Sequence, residues 1–161
     1  MKKPVLALVI ALFTAVLYAQ ASSGKVLYVY DEVNDQSRPY IGYFKAALAA
    51  DGIAYDEATA SQVPSMDISK YRAVLVHGMV MAFNSKSPVR DWLKAEKRLE
   101  GVRVAVFVTA NRWFLDKLRG QLDSLLKKDK AASVDAVSTA TKSMGASSKE
   151  AAVRSFVDRL K

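Results

Sequence analysis

The sequence predicts one α/β domain: a three-layer sandwich whose five-stranded parallel sheet runs in the order 2-1-3-4-5. Three observations lead there. Short apolar runs alternate with helix-period patterns along the chain. Three of the runs are continuously apolar, as strands covered by helices on both faces are. The two weaker runs fall second and fifth, and those are the edges of that strand order.

The first run is Val26-Leu27-Tyr28-Val29-Tyr30. Tyr40, Tyr43, Phe44, Ala47 and Leu48 then recur at 3–4 spacing, and Gly52 follows as the residue that ends the helix. Ile53-Ala54-Tyr55 is the second strand, shorter and more polar. Residues 58–70 contain Pro64 and have room for one or two helical turns. Ala73-Val74-Leu75-Val76 is the third strand. Ser87-Pro88 has the form of an N-cap and first helical residue, ahead of Val89, Trp92 and Leu93. Val104-Ala105-Val106-Phe107-Val108 is the fourth strand, and Leu115, Leu118, Leu122, Leu125 and Leu126 form the next helical stripe. Val134-Asp135-Ala136-Val137 is the second edge strand. Ser147 and Glu150 form a capping box before Val153, Phe156, Val157 and Leu160.

The N-terminal stretch belongs to none of this. Lys2 and Lys3 precede an apolar segment, residues 4–19, and Ala19-Gln20-Ala21 has the small-x-small form of a cleavage site. The reading is a signal peptide over 1–21, a domain over 22–161, and a periplasmic or secreted product. The apolar segment is shorter than the roughly 20 residues a spanning helix needs, so no stable membrane span is expected after cleavage. The chain has no cysteine, which excludes disulfides, thiolate chemistry and a cysteine-linked lipid.

The formal charge of +8 becomes +6 without Lys2 and Lys3, and favours loose association with anionic surfaces. The basic residues are dispersed apart from Lys127, Lys128 and Lys130, with no aromatic-interleaved stripe, so nucleic acid is not an expected partner. His77 is the sole histidine, so no multi-histidine metal site is expected. At the end of the third strand it is expected to be satisfied by local hydrogen bonds. Nucleophile-elbow, Walker and dinucleotide-fingerprint patterns are all absent from the sequence. No catalytic residue is assigned.

The corner after the first strand is unusual for its acids: Asp31, Glu32 and Asp35 precede Ser37-Arg38-Pro39. Turn and cap chemistry is one account of them, with Asp35 the N-cap candidate for a helix starting near Ser37; an acidic site for a cation or basic ligand is another.

Lys25 to Tyr30, Asp35-Gln36-Ser37-Arg38 and Tyr71 to Gly78 resemble the flavodoxin-like family. The likeness is to flavodoxin-type domains of the menaquinone-dependent protoporphyrinogen oxidase branch, and covers residues 25–161. The resemblance implies FMN at the carboxyl ends of the strands, held by three loops. It assigns Asn34, Gln36 and Ser37 to the phosphate, with Arg38 beside them. It assigns Phe83 and Asn84, after the third strand, and Asn111 and Trp113, after the fourth, to the flavin ring. Asp35 stands where that family has Gly, and Glu32 where it has a hydroxyl. A carboxylate within a few Å of a phosphate opposes it by about 1–4 kcal/mol per charge pair. Two readings follow: FMN-linked electron transfer or quinone-type reduction fed by a redox partner protein, or a flavin-free ligand-binding or protein-interaction module that has lost the phosphate loop.

Overall fold

A computed structural model of the chain describes residues 24–80, 87–140 and 144–161. The expected signal-peptide segment 1–21 and the loop residues Phe83 and Asn84 lie outside the described residues.

Five parallel strands form one sheet in the order β2-β1-β3-β4-β5: β1 is Val26–Tyr30, β2 Tyr55–Thr59, β3 Ala73–Val80, β4 Arg103–Ala110 and β5 Ala132–Ala140. Four α-helices accompany it: α1 (Ser37–Ala50), α2 (Pro88–Ala95), α3 (Leu115–Lys128) and α4 (Ala146–Val157). Two single 3-10 turns, Val63–Ser65 and Ile68–Lys70, fill the connection that contains Pro64.

Strand alternation divides the core in two. Leu27, Val29, Val74, Val76, Val104, Val106 and Val108 point to the face covered by α2 and α3. Tyr28, Leu75, Met79, Ala105 and Phe107 point to the face covered by α1 and α4. On that second face Phe44, Phe107 and Phe156 meet edge to face, with Phe44 and Phe156 each within 5.4 Å of Phe107. Gly78 lets β3 lie close under α3: a Cβ there would stand 3.1 Å from Leu122 Cδ1. Gly52, at φ +65°, carries the left-handed turn after α1.

Several boundaries differ from the sequence expectation. β2 begins at Tyr55 and runs to Thr59, so Ile53 is a buried residue of the turn and not a strand residue. β3 continues through His77, Gly78, Met79 and Val80 because Asp31 accepts a hydrogen bond from the Met79 amide and holds the strand in line. Met79 is therefore a core residue of a strand and not the start of a loop. Ser147 lies inside α4; the N-cap is Gly145, whose carbonyl accepts from Lys149 N–H, so the expected capping box is not formed. The expected Asp35 cap is also not formed: Gln36 occupies the N-cap position of α1, and Asn34 receives the first amides. A register shift on β5 leaves Val134 as an extra backbone residue opposite Val104 and Ala105.

Candidate functional site

Tyr30 lies beside His77, and Val80 beside Ala110, so β1, β3 and β4 deliver their following loops to one edge of the sheet. In a parallel sheet whose order reverses between β1 and β3, that edge is where a crevice opens. Ser37 and Trp113 both follow strands that end there.

Asp31 is the first residue past β1, and it is buried. Its carboxylate accepts from Met79 N–H at 2.6 Å and Val89 N–H at 2.7 Å, and from the Ser87 hydroxyl at 3.3 Å. Ser87 also caps α2 by accepting from Arg90 N–H. One side chain thus joins the end of β1, the end of β3 and the N-terminus of α2. Burial raises its pKa from 3.8 to about 6, against the lowering by the two amides and the hydroxyl.

The rest of the corner closes on itself. Asn34 Oδ1 accepts from the amides of Gln36 and Ser37, each at 2.9 Å. The Ser37 hydroxyl accepts from Asn34 N–H and donates to Glu32 C=O, both at 2.8 Å. Arg38 N–H donates to Asn34 C=O at 2.9 Å. The result is an Asx turn that satisfies the amides at the start of α1. Ser37 is 2% exposed and faces inward. Gln36 and Arg38 are exposed, and Arg38 approaches Asp35 at 3.8 Å on the surface. Glu32 and Asp35 point to solvent, and only Asp31 of the three acids is structural.

The fourth-strand loop is a 3-10 turn, Arg112–Phe114. Trp113 is 67% exposed and leans on Phe114 with ring centroids 4.9 Å apart. Asn111 is half-buried at the base of this turn, its carbonyl accepting from Phe114 N–H. Trp113 and Val33 are the exposed large apolar residues among those described, and both stand on loops of this edge. The edge therefore joins Asn34, Gln36, Ser37 and Arg38 on one loop with Asn111 and Trp113 on another. Phe83 and Asn84 fall outside the described residues.

His77 does not end β3; it lies within the strand and is buried. Tyr28 Oη sits 3.2 Å from its Nδ1 and Thr109 Oγ1 3.1 Å from its Nε2. A neutral ring satisfies both neighbours, one nitrogen accepting and the other donating. Burial lowers its pKa to about 3, so it stays neutral and sealed from any ligand at the edge.

Sequence reasoning missed two parts of this arrangement. Asp31 was grouped with the corner acids, although an acid placed directly after a fully buried strand has no solvent to point into. Asn34 was treated as a phosphate contact, although its spacing from Gln36 and Ser37 is that of an Asx turn. Among the described residues no group of three or more His, Cys, Asp or Glu side chains could hold a metal ion, and no helix is long and apolar enough to cross a membrane.

Neither a protein-family model nor a curated protein sequence matches the chain. Solved structures match its fold. The flavodoxin of Streptococcus pneumonia TIGR4 is 12% identical, with TM-score 0.62 over 84% of this chain and 96% of that one. General stress protein 14 of Treponema denticola, determined in complex with FMN, is 13% identical, with TM-score 0.60 over 84% and 97%. The rubredoxin oxygen:oxidoreductase of Desulfovibrio gigas is 14% identical, with TM-score 0.63 over 93% of this chain and 39% of that one. The chain has the flavodoxin-like fold.

Proposed function

We propose that the protein binds FMN at the carboxyl edge of its sheet and serves electron transfer with a partner protein. The observation that carries this is the exposed Trp113 ring, on the loop after β4, at the same sheet edge as the start of α1. The FMN complex of the fold neighbour from Treponema denticola supports the choice of ligand.

The residues present fit the group at both ends, with one displacement. Trp113 offers a largely exposed aromatic ring, which suits a flavin ring. The amides of Gln36 and Ser37 converge on a single acceptor, Asn34 Oδ1, at the positive end of a 14-residue helix. A phosphate oxygen is an acceptor of the same kind, and it takes that position when the Asn34 carboxamide withdraws. Arg38 supplies a positive charge beside it, and the exposed Glu32 and Asp35 can stay in water. Bound FMN would supply the electron-accepting chemistry. The chain's own part is to stack the ring on Trp113, hold the phosphate on the Gln36 and Ser37 amides, and leave an exposed edge for a redox partner.

A finer kinship with the protoporphyrinogen oxidase branch rests on the Lys25 to Tyr30 and Tyr71 to Gly78 stretches. Export rests on the Lys2-Lys3, apolar and Ala19-Gln20-Ala21 pattern, and N-terminal sequencing of the secreted protein should begin at Ser22.

The experiment is a paired titration with FMN and riboflavin, read by flavin fluorescence and by Trp113 emission. FMN uptake with quenching is expected. Trp113→Ala should weaken both ligands about tenfold, from the loss of roughly 1.5 kcal/mol of stacking. Asn34→Gly should tighten FMN and leave riboflavin unchanged, because only the phosphate competes for the two amides. A second reading, a flavin-free interaction module, draws on the closed Asn34–Ser37 turn. It is the one that stands if neither flavin binds at millimolar concentration.

A further inference from the structure

A groove of about 740 Å³ runs between α2 and α3. Its lining carries four cationic side chains, Arg90, Lys94, Lys117 and Lys128, against two carboxylates, Asp91 and Asp116. Asp91 is approached by Arg90 and Asp116 by Arg119, each at 3.9 Å and on the surface, so the lining keeps a net positive charge with both acids counted. Among the described residues, Lys94, Lys117 and Lys128 have no ion-pair partner. At the end of the groove nearest the sheet edge lies a recess of about 100 Å³, with Val80, Phe114 and Leu118 in its walls. Arg90, Lys117 and Gln121 line the recess too. At about 30 Å³ per water it has room for roughly three waters or one branched aliphatic side chain.

We propose that this groove docks an acidic polypeptide segment that seats one aliphatic side chain in the recess, with its carboxylates along the three lysines. Charge selects the occupant. Three unneutralised lysines along one cleft attract a polyanion and repel a polycation. The chain's own residues 1–23 carry two lysines and no acid, and a second copy carries the same +8, so both have the wrong sign. The aliphatic recess separates a peptide from a simple inorganic anion, because an apolar wall gives a bare anion nothing and costs it hydration. The inference does not depend on the flavin reading: the groove is formed by α2 and α3 alone, with Val80 and Phe114 at its head.

The test is an amide-shift titration of the isotope-labelled protein, without flavin, with an acetylated, amidated peptide of alternating Glu and Asp around one central Leu. Shifts should concentrate at residues 90–94 and 114–128. Replacing the central Leu by Ser should weaken binding about fivefold. K94Q/K117Q/K128Q should weaken it about tenfold, whereas K25Q/K70Q/K97Q, with the same net charge, should leave it unchanged. The glutamine variant keeps good helix formers at exposed positions, so its fold is retained. Any one of three results overturns the proposal: shifts scattered over all lysines, equal loss in the two triple variants, or phosphate or phosphatidylglycerol vesicles producing the same lysine-dependent shifts.

Discussion

Two buried groups, Asp31 just past β1 and His77 within β3, titrate in opposite senses, and their balance can be measured. His77 has a folded pKa of about 3, below its ordinary 6.5. Between those values the unfolded chain binds a proton that the folded chain refuses. Stability from His77 is therefore complete above pH 6.5 and is lost as pH falls toward 3. Asp31 has a folded pKa of about 6, above its ordinary 3.8. The folded chain holds a proton there that the unfolded chain has released, so stability rises as pH falls from 6 to 3.8. Each slope is about 1.4 kcal/mol per pH unit. From pH 6 to 4.5 each amounts to about 2 kcal/mol, and they cancel. Glu96, held near 2 chiefly by Arg98, adds its own loss only below 4.5. Urea unfolding followed by circular dichroism in half-unit steps should give a wild-type stability flat to within about 1 kcal/mol over this window. Asp31→Asn should lose about 2 kcal/mol between pH 6 and 4.5, and His77→Gln should gain about 2. Both variants are less stable in absolute terms, because each leaves a buried hydrogen-bonding partner mismatched. The slope, not the offset, is the readout. Three parallel profiles would refute the reasoning.

Other outcomes follow from single sites. Glu96 accepts from Trp92 Nε1, from the Lys97 and Arg98 amides and from the Arg98 guanidinium; Glu96→Ala should cost about 3 kcal/mol in thermal or urea unfolding, since the Trp92 N–H is left buried and unpaired. Gly78→Ala asks only the end of Leu122 to shift and should cost about 1 kcal/mol, whereas Gly78→Val overpacks the same contact and should cost about 3. Asp51 is approached by Lys161 at 3.0 Å and Arg154 at 3.8 Å; Asp51→Asn should speed hydrogen exchange at the C-terminal helix without altering exchange in β3.

The sheet order was legible because burial on two faces leaves continuous apolar runs, and edges leave broken ones. Val26 to Tyr30 carries that signal in five letters. The end of β3 was not legible: His77, Gly78 and Met79 interrupt the run, and what keeps the strand going is an amide held by a carboxylate 48 positions earlier. The candidate site divides in the same way. The exposure of Trp113 was legible because a large aromatic on a loop after a central strand has no core to enter. The closed turn of Asn34 and Ser37 was missed because both residue types suit a phosphate as well as an Asx turn. Which partner an acceptor serves is set by geometry, not by residue type.

Asp31 has a consequence for how this protein can be altered. Its two oxygens grip the amide just before β3 ends and the amide just after α2 begins, so both mouths of the connecting segment are clamped to one carboxylate. A single substitution at Asp31 therefore releases both mouths at once, and the end of β3 and the first turn of α2 lose their common anchor together.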